Sequence, residues 1–166
     1  MQRRPLSLRL GSNQLDIRIY PTFSGISNSV MAAWGINNFE NDDAVAWVEA
    51  FSEKQSIDKI ERLFSDAIEE DEPDEHLGSS VLAAAELLAI SQGNEPEEFH
   101  ETLLDDFEID LEAIQEWIDA DLINLAIHAV EKISESEDSE LRQLWEEVDE
   151  LDHWLMVIKD LKKRLK

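Results

Sequence analysis

The spacing of apolar residues along the chain changes once, near residue 41. Before that point Leu6, Leu8 and Leu10 alternate with Ser7 and Arg9, and after Gly11-Ser12-Asn13-Gln14 the set Leu15, Ile17 and Ile19 alternates with Asp16 and Arg18. A period of two on either side of a short polar loop predicts a β-hairpin. A lone hairpin is only marginally stable in water, so it must lay its apolar face on the rest of the chain or remain a disordered arm. Pro21 to Val30, rich in Ser, Gly and Asn, reads as a linker.

From Asn41 the period becomes about 3.6. Ala44, Trp47, Val48 and Phe51 define a helix over 42–52, and Ile57, Ile60, Phe64, Ala67 and Ile68 a second one with Ser56 at its N-cap. The acidic run Glu69 to Glu75 is a solvated loop, and the third helix spans 75–92 until Gly93 and Asn94 stop it. Val81 to Ile90 is apolar except at Glu86, the pattern of a helix at the centre of a fold. Pro96 opens a short helix through Phe99, Leu103 and Leu104. Leu111 to Ile133 then keep the period as one long helix, or as two broken around Asp119 to Asp121. Leu141, Leu144, Trp145 and Val148 form another face, and the last helix carries Leu151, Trp154, Leu155, Ile158, Leu161 and Leu165. Its cationic end, Lys159 to Lys166, suits the negative end of a helix dipole. The expected fold is mainly α: a compact bundle of about six or seven helices over residues 31–166, preceded by a weakly attached N-terminal extension over 1–30.

Charge narrows the function. Fourteen Lys and Arg against 39 Asp and Glu leave a formal net charge of -25, and four of the arginines stand in residues 1–30 beside the single Asp16. The remaining 136 residues therefore carry (14 - 4) - (39 - 1) = -28. Such a field repels nucleic-acid phosphates and anionic membranes and attracts basic surfaces, so neither nucleic acid nor membrane is expected as a partner. There is no cysteine, which removes disulfides, thiolate metal sites and cysteine nucleophiles and agrees with a cytoplasmic location. No apolar run reaches the length of a membrane span.

The densest text in the chain is Trp34 to Trp47. Asn41 is a preferred N-cap, Asp42 and Asp43 place charge in the first turn, Gly35 allows a positive φ or a close approach, and Trp34 and Phe39 fold back over the helix start as an apolar clasp. A competing use of Asn37, Asn38, Asn41, Asp42 and Asp43 is an oxygen-lined cation site, but their spacing is not that of an EF-hand loop. These motif residues are therefore expected to be structural.

Other constellations are sparse. His76, His100, His128 and His153 fall on four different helices or their ends without metal-binding spacing, which offers no zinc site; His128, at i+4 from Asn124, is the candidate among them for a functional role. Glu86 is the other low-ranked candidate: buried, it would need a partner, although Ser79, Ala83, Glu86 and Ile90 form a strip expected to face solvent or a neighbouring loop. No phosphate-cradling loop, nucleophile elbow or triad is present, so no catalytic residue, metal or cofactor is assigned.

The phrase Met31-Ala32-Ala33-Trp34-Gly35 followed by Phe39-Glu40-Asn41-Asp42-Asp43-Ala44 resembles the opening of the bacterial DUF4259 family, whose members begin Gly-Ala-Trp-Gly and continue Phe-x-Asn-Asp-x-Ala. The Ala-rich helix Val81 to Ile90 and the stretch Ser139 to Glu147, followed by Trp154 and Asp160-Leu161, are similar in character, so the resemblance covers about residues 31–166. It departs at Ala32, where the family often has Gly, and in residues 1–30, which the family generally lacks; this points to Met31 as the biological start. The resemblance implies a small helical domain with no established activity, and it transfers no catalytic residues.

The function expected on these grounds is a non-enzymatic protein-binding or inhibitory module, immunity-like, that engages a basic protein. Two alternatives remain open at this point. One is a carboxylate-based metal-dependent hydrolase built around Asp42, Asp43 or Glu86, and the other is a structural homodimer joined through an exposed stripe containing Trp117, Trp145 or Trp154.

Overall fold

In the computed structural model the described residues are 35–99 and 101–166. The expectations for the leader, for Trp34 and for His100 lie outside them. Eight helices follow in order among the described residues: α1 (Asp42–Glu53), α2 (Ile57–Glu69), α3 (Glu75–Ser91), α4 (Thr102–Asp106), α5 (Leu111–Trp117), α6 (Ala120–Glu135), α7 (Glu140–Glu147) and α8 (Leu151–Leu165). The protein is mainly α-helical. The stretch 111–133 takes the broken form because Asp119 caps α6, its side chain accepting from Leu122 N-H at 2.8 Å, while Ile118 turns extended.

The same short polar side chains start most of the other helices. Asn41 accepts from Ala44 N-H at 2.8 Å, Asp74 from Leu77 N-H at 2.7 Å, Asp110 from Ala113 N-H at 3.0 Å and Ser139 from Arg142 N-H at 3.4 Å. Each satisfies a backbone donor that has no partner inside its helix. Ser56 sits at the N-cap of α2, yet its side chain makes no cap hydrogen bond. Pro96 does not open a helix; the short α4 begins only at Thr102.

Three helices end in the same way. Beyond α3, Gly93 takes φ 86°, its N-H donating to Ile90 and the Asn94 N-H to Ala89. Glu108 after α4 and Asp149 after α7 repeat the geometry at φ 52° and 62°, with the following Ile109 and Glu150 N-H groups reaching back to Leu104 and Trp145. These are Schellman closures, which need one left-handed residue, and only the first of the three uses glycine.

Helix α3 forms the axis. Every residue from Gly78 to Ser91 is buried, and α1, α2, α5, α6, α7 and α8 all pack on it. A Cβ at Gly78 would stand 3.1 Å from Leu141 Cβ and 3.3 Å from Ile133 Cγ2, so glycine lets α3 approach α6 and α7 closely. Around the axis, α6 lies against α2 and α8, and Trp145 of α7 stacks on Trp154 of α8 with ring centroids 6.4 Å apart. Both rings are buried in the core, as are Phe51, Phe64 and Leu161. The arrangement leaves the turn before α1, residues 96–99 and 102–103, and Met156, Val157 and Asp160 of α8 around one end of Glu86.

A cleft over a buried ion pair

The strip of α3 expected to face solvent or a neighbouring loop is not exposed to solvent. Ser79, Ala83 and Ile90 are buried, and Glu86 is only 3% exposed. A helix packed on six others has no free side, so the one carboxylate in its apolar run is carried inside. Arg164, in the last turn of α8, meets it: Nη2 donates to Oε1 at 2.7 Å and Nη1 to Oε2 at 3.0 Å. Asn38 Nδ2 adds a third donor to Oε1 at 2.9 Å. A two-pronged guanidinium–carboxylate contact with an extra amide donor is the arrangement that compensates a desolvated carboxylate.

The guanidinium is also held from outside. Its Nε donates to Asp160 at 2.6 Å, one turn earlier on α8, and Nη1 donates to the Asn94 carbonyl at 3.2 Å. Asn94 returns a hydrogen bond from Nδ2 to the Arg164 carbonyl at 2.9 Å, which ties the chain past the α3 stop to the end of α8. Burial works to lower the Arg164 pKa, but the bonds and charges of Glu86 and Asp160 outweigh it and raise the value above the usual one. The pair lies at the back of an open space.

That space is a cleft of about 500 Å³. Its floor and walls include Phe39, Val45, Phe99, Leu103 and Val157, while Glu40, Glu97, Glu98 and Asp160 bring further carboxylates to it. Met156, 68% exposed, is the exposed large hydrophobic residue among the described ones and belongs to the lining. Asn38 is 5% exposed, and its Oδ1 has no hydrogen-bond partner among the described residues. At Gly35, in the turn that forms one wall, a Cβ would fall against the carboxylate end of Glu40, whose Oε2 accepts the Asn37 N-H at 2.9 Å. Close approach, and not a positive φ, is what this glycine supplies.

The other candidate residues are dispersed. Asn41 is spent on the α1 cap, Asp42 is exposed in the first turn, and Asp43 lies 3.2 Å from His76 Nδ1, whereas Asn38 faces Glu86. Asn41, Asp43 and Asn38 of the residues considered as a cation site thus engage three different partners. Among the described residues no group of three or more His, Asp or Glu side chains is placed to hold a metal ion. Phe39 is half-buried against the core and lines the cleft, and His128 is exposed on α6. His153 pairs with Glu150, whose hydrogen bond and charge raise its pKa. Trp145 and Trp154 are core residues and Trp117 is partly buried, so they form no exposed stripe.

A second charged locus gathers where α1, α3 and α7 begin. Glu75 donates its backbone N-H to Glu140 Oε2 at 3.3 Å, and its own carboxyl has a pKa pushed up to about 7, first by burial and then by the charges of Asp43, Glu140 and Asp74. The residues that organise the cleft, Arg164, Asn38 and Asp160, were not singled out as a set by the sequence. The only signal was the i, i+4 spacing of Asp160 and Arg164 near an end already marked as cationic.

A family profile described as Domain of unknown function (DUF4259) matches residues 32–157, three quarters of the chain. The chain belongs to the DUF4259 family. No curated protein and no solved structure matches it. The DUF4259 match ends inside α8, before Asp160 and Arg164, so the cationic half of the buried pair lies beyond the matched region.

Proposed function

We propose that this DUF4259 protein is a non-enzymatic, bacterial, cytoplasmic binding module whose partner is a basic protein, with inhibition of that partner, in the manner of an immunity protein, as the outcome of binding. The supporting observation is how the charge is deployed. Of the 38 Asp and Glu after residue 30, 32 are exposed, against six exposed Lys or Arg. Solubility alone needs a net charge of about 2 to 8 in magnitude for a small domain. A surface this one-sided accelerates encounter with a cationic partner and makes the association sensitive to salt. No helix of the described residues is long and apolar enough to cross a membrane.

The test is affinity capture from a lysate at about 50 mM and about 500 mM salt, with the retained proteins identified by mass spectrometry. The expected result is a basic protein, retained at low salt and released at high salt. Capture of no basic protein, or capture indifferent to salt, overturns the reading.

A further inference from the structure

We infer that the cleft over the Glu86–Arg164 pair is the seat for one basic side chain of that partner, a lysine or arginine flanked by apolar residues. The inference deepens the function proposed above and rests on it. Its volume of about 500 Å³ falls within the range of ligand-binding clefts, about 300 to 1,000 Å³.

The polarity of the lining selects the guest. Arg164 is turned inward: Nε and both terminal nitrogens already donate to Asp160, Glu86 and the Asn94 carbonyl, and its side chain is only 11% exposed. An anion entering the cleft therefore finds Arg164, the cation among the described lining residues, already engaged and meets the carboxylates of Glu40, Glu97, Glu98 and Asp160. A cation finds the reverse. Glu97 and Glu98 are exposed and make no hydrogen bond or ion pair among the described residues, and the Asp160 side chain is 55% exposed, with Oδ2 alone bound to Arg164. Asn38, in the wall beside Glu86, is buried, and its Oδ1 is an acceptor with no hydrogen-bond donor among the described residues.

The apolar part of the lining explains why the guest is a side chain on a peptide and not a bare ion. Lysine and arginine carry an apolar stem behind a charged head, and Phe39, Val45, Leu103 and Val157 offer that stem a surface while the carboxylates take the head. Phe39 and Phe99 add aromatic side chains to the lining. Met156 reaches furthest into solvent, and its flexible thioether suits the apolar residues that flank the basic one.

The experiment uses the full chain and a fluorescein-labelled hexapeptide alternating leucine and arginine, followed by fluorescence anisotropy at low salt. A second hexapeptide replaces leucine with serine. The leucine–arginine peptide is expected to bind at least several-fold more tightly than the serine–arginine peptide. Combining Glu97→Gln, Glu98→Gln and Asp160→Asn is expected to weaken it about tenfold. A control combining Glu112→Gln, Glu116→Gln and Asp138→Asn removes three exposed charges elsewhere and is expected to change affinity less than twofold. Met156→Ser is expected to weaken only the leucine-containing peptide. If both triple variants lose affinity equally, or the serine peptide binds as well as the leucine peptide, the cleft is not the seat, although the acidic-surface function stands. If neither peptide binds, the cleft is not the seat, and the proposed function is decided separately by the lysate capture. If sedimentation shows a dimer that Met156→Ser dissolves, the occupant is a second copy of the chain and the inference is overturned.

Discussion

Replacing Arg164 with methionine isolates the energetics of the buried pair, because methionine keeps an apolar stem of similar length while removing every donor. In the native protein Glu86 accepts three hydrogen bonds, two of them from Arg164, and its side chain is 3% exposed. The variant leaves the carboxylate with Asn38 alone. Breaking one side of a buried, hydrogen-bonded charge pair costs about 3–5 kcal/mol, since the remaining charge is neither hydrated nor paired. Loss of the Asp160 contact adds little, because that carboxylate is more than half exposed and an exposed pair is worth about 0.5 kcal/mol. Urea unfolding followed by tryptophan fluorescence reads the loss directly, and the double variant Glu86→Leu with Arg164→Met supplies the decisive comparison. With both charges replaced by apolar groups the desolvation cost disappears as well, so the double variant is expected within about 1 kcal/mol of the native protein, well above Arg164→Met alone. A cost below about 1 kcal/mol for Arg164→Met would mean that Glu86 reaches water in solution. A double variant as unstable as the single one would refute the account of the pair as a compensated burial.

Two further outcomes follow from local geometry. Glu75 titrates at about 7 in the folded protein and at 4.5 in the reference state. The fold therefore binds its proton more tightly, and the associated stability is complete below pH 4.5 and lost as pH rises through 7. Discounted for the group's partial exposure, the effect is about 1 kcal/mol. Glu75→Gln should accordingly gain on the native protein between pH 5 and pH 8 in urea midpoints, and a constant gap would remove the burial argument. Glu108, held at φ 52° after α4, should favour glycine: Glu108→Gly is expected to raise stability by about 0.5–1 kcal/mol, a melting shift of a few degrees. A lower melting temperature would show that the Glu108 side chain contributes more than its backbone strain costs.

The helices were legible because each is written locally. Asn41, Asp74, Asp110, Asp119 and Ser139 act on backbone groups three residues away, and the apolar period places Ile60, Phe64, Trp154 and Leu161 inward without reference to any other segment. Even the centrality of α3 follows from its own composition, with a single polar residue between Val81 and Ile90. The left-handed closures at Glu108 and Asp149 were less legible: glutamate carries no turn signal, and aspartate, although it tolerates the left-handed region, is one of many acidic residues in this chain.

Glu86 shows where local reading stops. A helical period can say which residues share a face, but whether that face meets water depends on how many neighbours the helix acquires, and α3 acquires six. Once the face is closed, the carboxylate requires a cation, and among the basic residues of α8 only Arg164 both stands at the right turn and carries the forked donor that fills both oxygens. The partners are 78 residues apart. A cation at the end of α8 had a sufficient local explanation in the helix dipole, which hid the long-range one. Pairing Arg164 inward also sets the character of the cleft: with that guanidinium engaged by Glu86 and Asp160, the opening presents carboxylates of Glu97 and Glu98 that have no partner among the described residues, the feature on which the proposed preference for a positive guest rests.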